Sequence, residues 1–391
     1  MSKIKYLYFF LLLFFPIYVL ALEYPVNHYA NAVIYDLTDD KTLYELNANQ
    51  KASVASLTKV LTVITAIENI KDFNTKITYT KEMQSLVRYD TSRAGLKVGD
   101  EITLKDLLYA TILPSGADAA IALALSIKKN IPEFVNLMNE KAQYLEMTNS
   151  SFTNVVGLDD TNHYSTANDI LKLLKYALKN PIFKSIYTTK EYTLTNGLKV
   201  SSTLNIYNKN VNLNTDRIKG SKTGYTNKAN LCISTLIESN NHDILIVTLN
   251  TPKTNDYYLL KDTISLINFL DSNYNNQIIY TQDDIITTLK ILNNKNLYNI
   301  KPLNNIYAYL PNDYQKKDIK AEYLGKEIIH LKDFKNNQIG LINYYYQDNL
   351  IATEPVYLNL DTYKNKLLIL TFLSLFLILT ILTKLIFIIK R

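Results

Sequence analysis

The chain has 391 residues, a formal net charge of +6 and a single cysteine, Cys232. The length suits one large domain with a smaller one, and a lone cysteine excludes both an internal disulfide and a cysteine metal cluster. Residues 22–360 are neutral overall, which excludes nucleic acid as a partner, and the four histidines lack metal-ligand spacing, so no metal or other cofactor is expected.

Both ends of the chain are apolar. Residues 1–21 combine two early lysines, an apolar run and small side chains at the end, which is the pattern of a signal peptide cleaved after Ala21. The stretch 367–389 has 23 residues, which give about 34 Å of helix, enough to cross a bilayer. The sequence therefore predicts an exported body on the extracytoplasmic face of the cytoplasmic membrane, held there by a C-terminal transmembrane helix.

Between these ends, strands come first and helices follow. Two strands are predicted within 28–46, then a helix after Ala52, and then two helices separated by a break at 114–116. Two more helices follow, the second capped by Ser165 or Thr166. Strands dominate from about residue 186, including a hairpin that contains Cys232 in a buried strand.

A last helix at 256–274 closes this region. The order of elements indicates an α/β domain with a mostly antiparallel sheet, covering residues 22–274. Beyond it, 276–357 carries short runs of alternating polarity and is predicted to be a small all-β domain.

A serine and a lysine lie one helical turn apart in the segment SVASLTKVLT. Ser56 and Lys59 would share a helix face, and a buried lysine with a lowered pKa could take the proton of the serine hydroxyl. The spacing alone is weak, because Ser126 and Lys129 repeat it at what we interpret as a solvated helix end.

Two further fragments strengthen this interpretation. Ser115 in LPSGADAA stands at the helix break, where its hydroxyl could project into a cleft, although a plain helix cap is the alternative. Lys222-Thr223-Gly224 precedes a predicted strand, and the glycine would let a substrate backbone approach. The order and separation of the three fragments are those of the penicilloyl serine transferases.

With these motifs in place, the chain resembles the D-alanyl-D-alanine carboxypeptidases, which are low-molecular-mass penicillin-binding proteins. The resemblance covers about residues 28–270 and includes KTLYELNANQKASVASLTKVLTVITAIEN and IKGSKTGYTNKANLCIST. It implies a peptidase domain of the β-lactamase/transpeptidase-like type, and 276–357 is more weakly similar to the β-rich domain that follows it in these enzymes.

The resemblance also implies a role for each motif residue. Ser56 would attack the bond between the two terminal D-alanines of a peptidoglycan stem pentapeptide, Lys59 would accept its proton, and Ser115 would pass a proton to the departing D-alanine. The substrate would be bound by Lys222 and Thr223 through its carboxylate and by Gly224 and Tyr225 at the strand, where the N–H groups of Ser56 and Tyr225 would hold the oxyanion. β-Lactams would acylate Ser56.

One residue departs from the family pattern. The middle motif is usually Ser-x-Asn, but here it is Ser115-Gly116-Ala117, and alanine cannot hold the lysine or the substrate as an amide does. Either another group fills this role or turnover is reduced. The alternative is therefore a weakly active or non-catalytic penicillin-binding or wall-scaffold protein. A β-lactamase is a further alternative, but no Glu-x-x-Leu-Asn follows the middle motif.

Overall fold

The structure is a computed structural model that describes residues 24–25, 27–254, 257–291, 297–329, 338–357 and 369–379. The predicted signal peptide, 1–21, lies outside this range. The described chain forms two compact units, the first running to Asn275 together with Pro311–Asp313, and the second containing Asn276–Leu310 and the residues from Tyr314 onward.

A five-stranded antiparallel sheet organises the first unit, with the strand order β2-β1-β9-β8-β7. Strands β8 and β9 form the predicted hairpin, and their turn residues Asn240 and Asn241 both have positive φ, as a two-residue turn between twisted strands requires. Cys232 is buried in β8, as predicted. The strands are β1 (Asn31–Asp36), β2 (Lys41–Leu46), β7 (Ile218–Thr226), β8 (Asn230–Ser239) and β9 (His242–Thr251).

Helices surround one helix that is buried on every side. In helix α1, Thr58–Asn69, every residue from Thr58 to Ile67 is buried, and the helix contacts several other helices. The helices in chain order are α1 (Thr58–Asn69), α2 (Lys81–Ser85), α3 (Leu104–Ile112), α4 (Ala117–Ile127), α5 (Ile131–Tyr144), α6 (Ala167–Ala177), α7 (Pro181–Thr188), α8 (Thr203–Val211) and α9 (Tyr258–Asn273).

Short paired strands complete this unit. They are β3 (Lys76–Thr78) with β4 (Glu101–Thr103), and β5 (Glu191–Thr193) with β6 (Lys199–Ser201).

Three expectations about local structure are corrected. Ser56 lies in a 3-10 turn, Ala55–Leu57, that precedes α1 rather than in the α-helix itself. The Lys222-Thr223-Gly224 motif lies inside β7 instead of before a strand, because the antiparallel partner β8 extends the ladder through it. Helix α8 lies in a region assigned mainly to strands, and α7 begins before that region, where no element was predicted; Asn180 caps α7 and Pro181 starts it.

The second unit is built from β-strands around its own small core, which includes Leu289, Leu310, Ile342 and Tyr344. Its largest sheet has the order β14-β16-β17. Its strands are β10 (Tyr274–Tyr280), β11 (Thr287–Ile291), β12 (Leu297–Ile300), β13 (Ile306–Pro311), β14 (Ile319–Gly325), β15 (Ile328–Ile329), β16 (Gln338–Tyr346) and β17 (Asn349–Tyr357).

Residues 369–379 are helical and exposed to solvent. Within the described part of the chain, none of the helices combines the length and the apolar character that a membrane span needs. The rest of the predicted span, 367–368 and 380–389, lies outside the described residues.

Candidate active site

A cleft of about 520 Å³ opens in the first unit and brings together residues that are far apart in the sequence. Of the predicted site residues, it is lined by Ser56, Lys59, Ser115, Thr223, Gly224 and Tyr225. Three separate sequence motifs therefore meet at one place, on the 3-10 turn and α1, on the loop before α4, and on β7.

Ser56 and Lys59 are in direct contact at the base of this cleft. The Lys59 Nζ atom donates a hydrogen bond to Ser56 Oγ at 2.8 Å, and a second one to the Val156 carbonyl oxygen at 2.8 Å. The second bond fixes the lysine nitrogen against the loop 153–158, so that it stays within proton-transfer distance of the serine. The other Ser-x-x-Lys pair differs, because Ser126 Oγ donates to the Ala122 carbonyl and Lys129 is exposed.

Burial prepares Lys59 to act as a base. The side chain is 2% exposed, because it stands at the start of the helix that the core encloses. This burial lowers the pKa of Lys59 to about 7, while the negative charge of Asp118 acts in the opposite direction and raises it. A large share of Lys59 is consequently neutral at neutral pH and can accept the serine proton.

The turn that carries Ser56 is strained, and two glycines leave room for the backbone packed against it. Ala55 has φ 44°, in the left-handed region that an alanine rarely adopts. A Cβ on Gly157 would lie 1.8 Å from the Ala55 carbonyl oxygen, and one on Gly224 would lie 2.7 Å from the Ser56 backbone nitrogen. Only glycine fits at these two points, so the backbones that surround the serine can approach it closely.

Ser115 faces the cleft from the opposite side. It has φ 61°, and it is 3% exposed. Within the described residues its Oγ atom has no hydrogen-bond partner, although it is buried. A buried hydroxyl without a partner is costly, and a backbone strained to hold it in the cleft is typical of a functional position.

Lys222 lies behind the cleft rather than on its surface. Its side chain is fully buried, and its Nζ donates to the Thr223 carbonyl at 2.6 Å. Burial and the positive charge of Lys59 hold the pKa of Lys222 well below its usual value. Thr223 does line the cleft, and its hydroxyl lies 2.6 Å from that of Thr203 at the start of α8.

His163 has a structural position. Its Nδ1 accepts a hydrogen bond from the Thr153 N–H at 3.1 Å, so Nε2 carries the proton and donates to Thr58 Oγ1 at 2.8 Å. Burial lowers the pKa of His163 to about 4, against the effects of Asp160 and Asp159. The neutral ring joins the loop 153–158 to the first residue of α1.

Comparison with known proteins agrees with this geometry. Residues 22–253 match the family model of the D-alanyl-D-alanine carboxypeptidases, peptidase family S11. The chain belongs to this family. It is therefore a serine-type peptidase of the penicillin-binding protein group, as its sequence motifs indicated.

Relatives in this carboxypeptidase family align over different parts of the chain. The D-alanyl-D-alanine carboxypeptidase DacF of Bacillus subtilis is 27% identical over 338 residues, which are 83% of this chain and 84% of the relative. DacA of Haemophilus influenzae is 30% identical over 226 residues, 56% of each chain. Penicillin binding protein 5 from Haemophilus influenzae, a solved structure, has a TM-score of 0.65 and 24% identity over 86% of this chain and 98% of its own, which shows the fold.

Ala117 stands where the family's middle motif usually has an asparagine. Ala117 is fully buried, and its N–H donates to the Ser92 carbonyl at 2.8 Å. Asp118 does not take over the missing amide, because its carboxylate accepts backbone hydrogen bonds from Ala94, Gly95 and Leu96. The second hydrogen bond of Lys59 goes to the Val156 carbonyl instead.

We expect the substitution Asp118→Asn to move the pH dependence of acylation to lower pH. Removing the negative charge removes the effect that opposes burial, so the pKa of Lys59 falls further below about 7. The rate of labelling by a fluorescent penicillin, followed from pH 5 to 9, measures this shift. Asp106→Asn is the control, since Asp106 is a buried carboxylate that accepts from Thr103 and Thr195; an equal shift in both variants would contradict the prediction.

Three features of the cleft were not predicted from the sequence. Thr203 was placed among strands, Val156 contributes only a main-chain atom, and Arg88 lies on a loop without a recognisable motif. Arg88 brings a guanidinium to the cleft, where it pairs with Asp90 at 2.8 Å. None of the described residues that line the cleft is a glutamate.

One cluster elsewhere joins residues with metal-binding side chains. Asp36, Asp39 and His242 place their ligand atoms within 4.8 Å of one another. His242 Nδ1 pairs with Asp36 Oδ2 at 2.9 Å, and the ammonium of Lys41 lies 3.0 Å from Asp39 Oδ2. These contacts join β1, β2 and β9, so we interpret the cluster as an internal polar group that links the three strands.

Proposed function

We propose that this protein removes the terminal D-alanine from peptidoglycan stem pentapeptides through an acyl-enzyme on Ser56. The observation that carries the proposal is the 2.8 Å contact between Lys59 Nζ and Ser56 Oγ at the base of an open cleft. Family membership supports the reaction class, and the motif residues carry it out: Ser56, Lys59 and Ser115 as catalytic groups, with Lys222, Thr223, Gly224 and Tyr225 binding the substrate.

The first half of the reaction forms the acyl-enzyme. Neutral Lys59 takes the proton of Ser56 as Oγ attacks the carbonyl carbon between the two D-alanines. The backbone N–H groups of Ser56 and Tyr225 hold the oxyanion. Ser115, whose Oγ is buried without a partner among the described residues, relays the proton to the leaving nitrogen, and the C–N bond breaks. Water then hydrolyses the ester and restores the serine.

The carboxylate of the departing D-alanine needs a binding site at the β7 end of the cleft. The hydroxyls of Thr223 and Thr203, which lie 2.6 Å apart, can donate to it. Lys222 lies directly behind Thr223, and an incoming carboxylate favours its charged form, since an opposite charge raises the pKa of a buried lysine. A β-lactam offers a similar carboxylate and a reactive amide, so it is expected to acylate Ser56 and block the site.

The location of the enzyme follows from the two ends of the chain. A signal peptide at 1–21, a peptidase domain at 22–274, a β-rich domain at 276–357 and a transmembrane anchor at 367–389 would place the cleft on the outer face of the cytoplasmic membrane, next to its substrate. There the enzyme would take part in peptidoglycan biosynthesis and so in cell shape.

The test is the release of D-alanine by the full chain from a stem pentapeptide ending in D-Ala-D-Ala. We expect release by the wild type and none above background by Ser56→Ala, which lacks the nucleophile. Ser126→Ala is the matched control, because it alters the other Ser-x-x-Lys pair and should leave the rate unchanged. If penicillin labels Ser56 but no D-alanine is released, the alternative raised by Ala117, a weakly active or non-catalytic penicillin-binding protein, replaces this proposal.

A further inference from the structure

The loop 153–158 takes its shape from one side chain. The Asn154 Oδ1 atom accepts three backbone hydrogen bonds, from Val156 at 3.2 Å, from Gly157 at 2.7 Å and from Leu158 at 3.0 Å. The Nδ2 atom of the same carboxamide donates to the Leu158 carbonyl at 3.0 Å. A polar side chain that binds several successive N–H groups fixes the turn of the backbone that follows it.

This turn presents two consecutive carbonyls to helix α1. The Val156 oxygen accepts from Lys59 Nζ at 2.8 Å, and the Val155 oxygen accepts from Thr62 Oγ1 at 2.8 Å. Lys59 and Thr62 are three residues apart, so both lie on the face of α1 that the turn covers. The position of the Val156 oxygen therefore depends on how the turn is folded.

A third link connects Asn154 with the start of α1. Its Nδ2 lies 3.3 Å from His163 Nδ1, which also accepts from the Thr153 N–H. His163 Nε2 in turn lies 2.8 Å from Thr58 Oγ1. The carboxamide thus touches both the turn that carries the Val156 oxygen and the imidazole that anchors this turn to the residue before Lys59.

We propose that Asn154 is a positioning residue of the reaction, which aims the Val156 carbonyl at Lys59 and so supplies the hold on the lysine that Ala117 cannot give. This inference rests on the proposed function, because it concerns the same base. Lys59 has three hydrogens when charged and two when neutral, and in both states one of them can bind the Val156 oxygen. With this bond in place, Nζ stays 2.8 Å from Ser56 Oγ, so the neutral amine can accept the serine proton there.

The charged groups around Lys59 stay in place when Asn154 is replaced. They are Asp118 from α4, which raises the pKa of Lys59, and Lys222 from β7, on which Lys59 itself acts. His163 is neutral at the pH of the measurement, since burial lowers its pKa to about 4. A change in the pKa of Lys59 after Asn154→Ala therefore reflects a change in its hydrogen bond to the Val156 oxygen. A weaker bond to the charged form lowers the pKa of Lys59.

The test compares Asn154→Ala with Asn139→Ala in the full chain. Asn139 is a matched control because its carboxamide also binds this segment, through the Phe152 N–H at 3.0 Å and the Phe152 carbonyl at 2.8 Å, but does not touch the turn at Val156. We expect Asn154→Ala to slow acylation by penicillin by about 10-fold to 100-fold, as misplacement of a reacting group does, and to move the acidic limb of the pH profile to lower pH. Asn139→Ala should lose thermal stability with little change in the acylation rate or in the pH profile.

A second measurement does not depend on turnover. The titration of Lys59, followed by NMR of ¹³Cε-labelled lysine and assigned with Lys59→Met, should have a lower midpoint in Asn154→Ala than in the wild type and in Asn139→Ala. If Asn154→Ala does not fold, Asn154→Ser, whose hydroxyl is a weaker acceptor for the same N–H groups, should show the same direction of change. Equal midpoints and equal acylation rates in the Asn154 and Asn139 variants would overturn the inference. Failure of the wild type to react with penicillin would instead refute the proposed function, while the titration would still decide the role of Asn154.

Discussion

Replacing Lys59 by methionine is expected to lower the rate of acylation by about 10³-fold, the middle of the range that a general base contributes. Methionine keeps an unbranched apolar chain in the buried position but offers no nitrogen to take the serine proton. Because it also removes a buried ionisable group, the fold should keep its thermal stability. Stopped-flow labelling with a chromogenic β-lactam measures the rate, and thermal unfolding monitors the fold.

The acylation rate of the wild type should show the pH dependence of a reaction in which Lys59 is the general base. Neutral Lys59 is the active form, and its pKa is lowered to about 7, so the acylation rate should rise as the pH passes through about 7 and level off above it. Lys129→Met is the control for a lysine at the same spacing from a serine, and it should change neither the rate nor the profile. A Lys59→Met variant that acylates within a few-fold of the wild type would show that another group is the base.

Gly157→Ala is expected to destabilise the protein by more than about 3 kcal/mol and to abolish acylation, since overpacking and backbone strain each cost about 1–3 kcal/mol. The added Cβ would lie 1.8 Å from the Ala55 carbonyl oxygen, a backbone atom that cannot rotate away. Either the turn with Ser56 or the loop with Val156 must move, and both are needed at the site. Urea unfolding and penicillin labelling of the same sample measure the two effects.

Gly197→Ala is a matched control for the part of the destabilisation by Gly157→Ala that comes from backbone strain. Gly197 has φ 86°, close to the 88° of Gly157, but among the described residues nothing lies within 4 Å of the position that a Cβ would take there. Gly197→Ala should therefore cost only the left-handed strain, about 1–2 kcal/mol, and should keep full acylation. Equal effects of the two substitutions would mean that the close approach to Ala55 does not constrain the site.

Much of the first unit was predictable because its signals are local. The hairpin of β8 and β9, the helix break at Ser115 and the helix α1 follow from periodicity and turn residues, which act over a few positions. The predictions missed α7 and were wrong at α8, two short helices without a long apolar pattern. Lys222 is an intermediate case, because its motif was recognised but its burial behind Thr223 was not visible in the sequence.

By itself, the sequence determined the residue types of the reaction, the order of the three motifs and the absence of an amide at position 117. Each of these is a property of which side chains are present and how far apart they stand along the chain. The tertiary structure alone decided what surrounds Lys59: burial that lowers its pKa, the charge of Asp118 and the carbonyl of Val156. Every backbone carries a carbonyl at every residue, so no sequence pattern marks the one that faces a base; only the folding of residues 153–158 against α1 selects it.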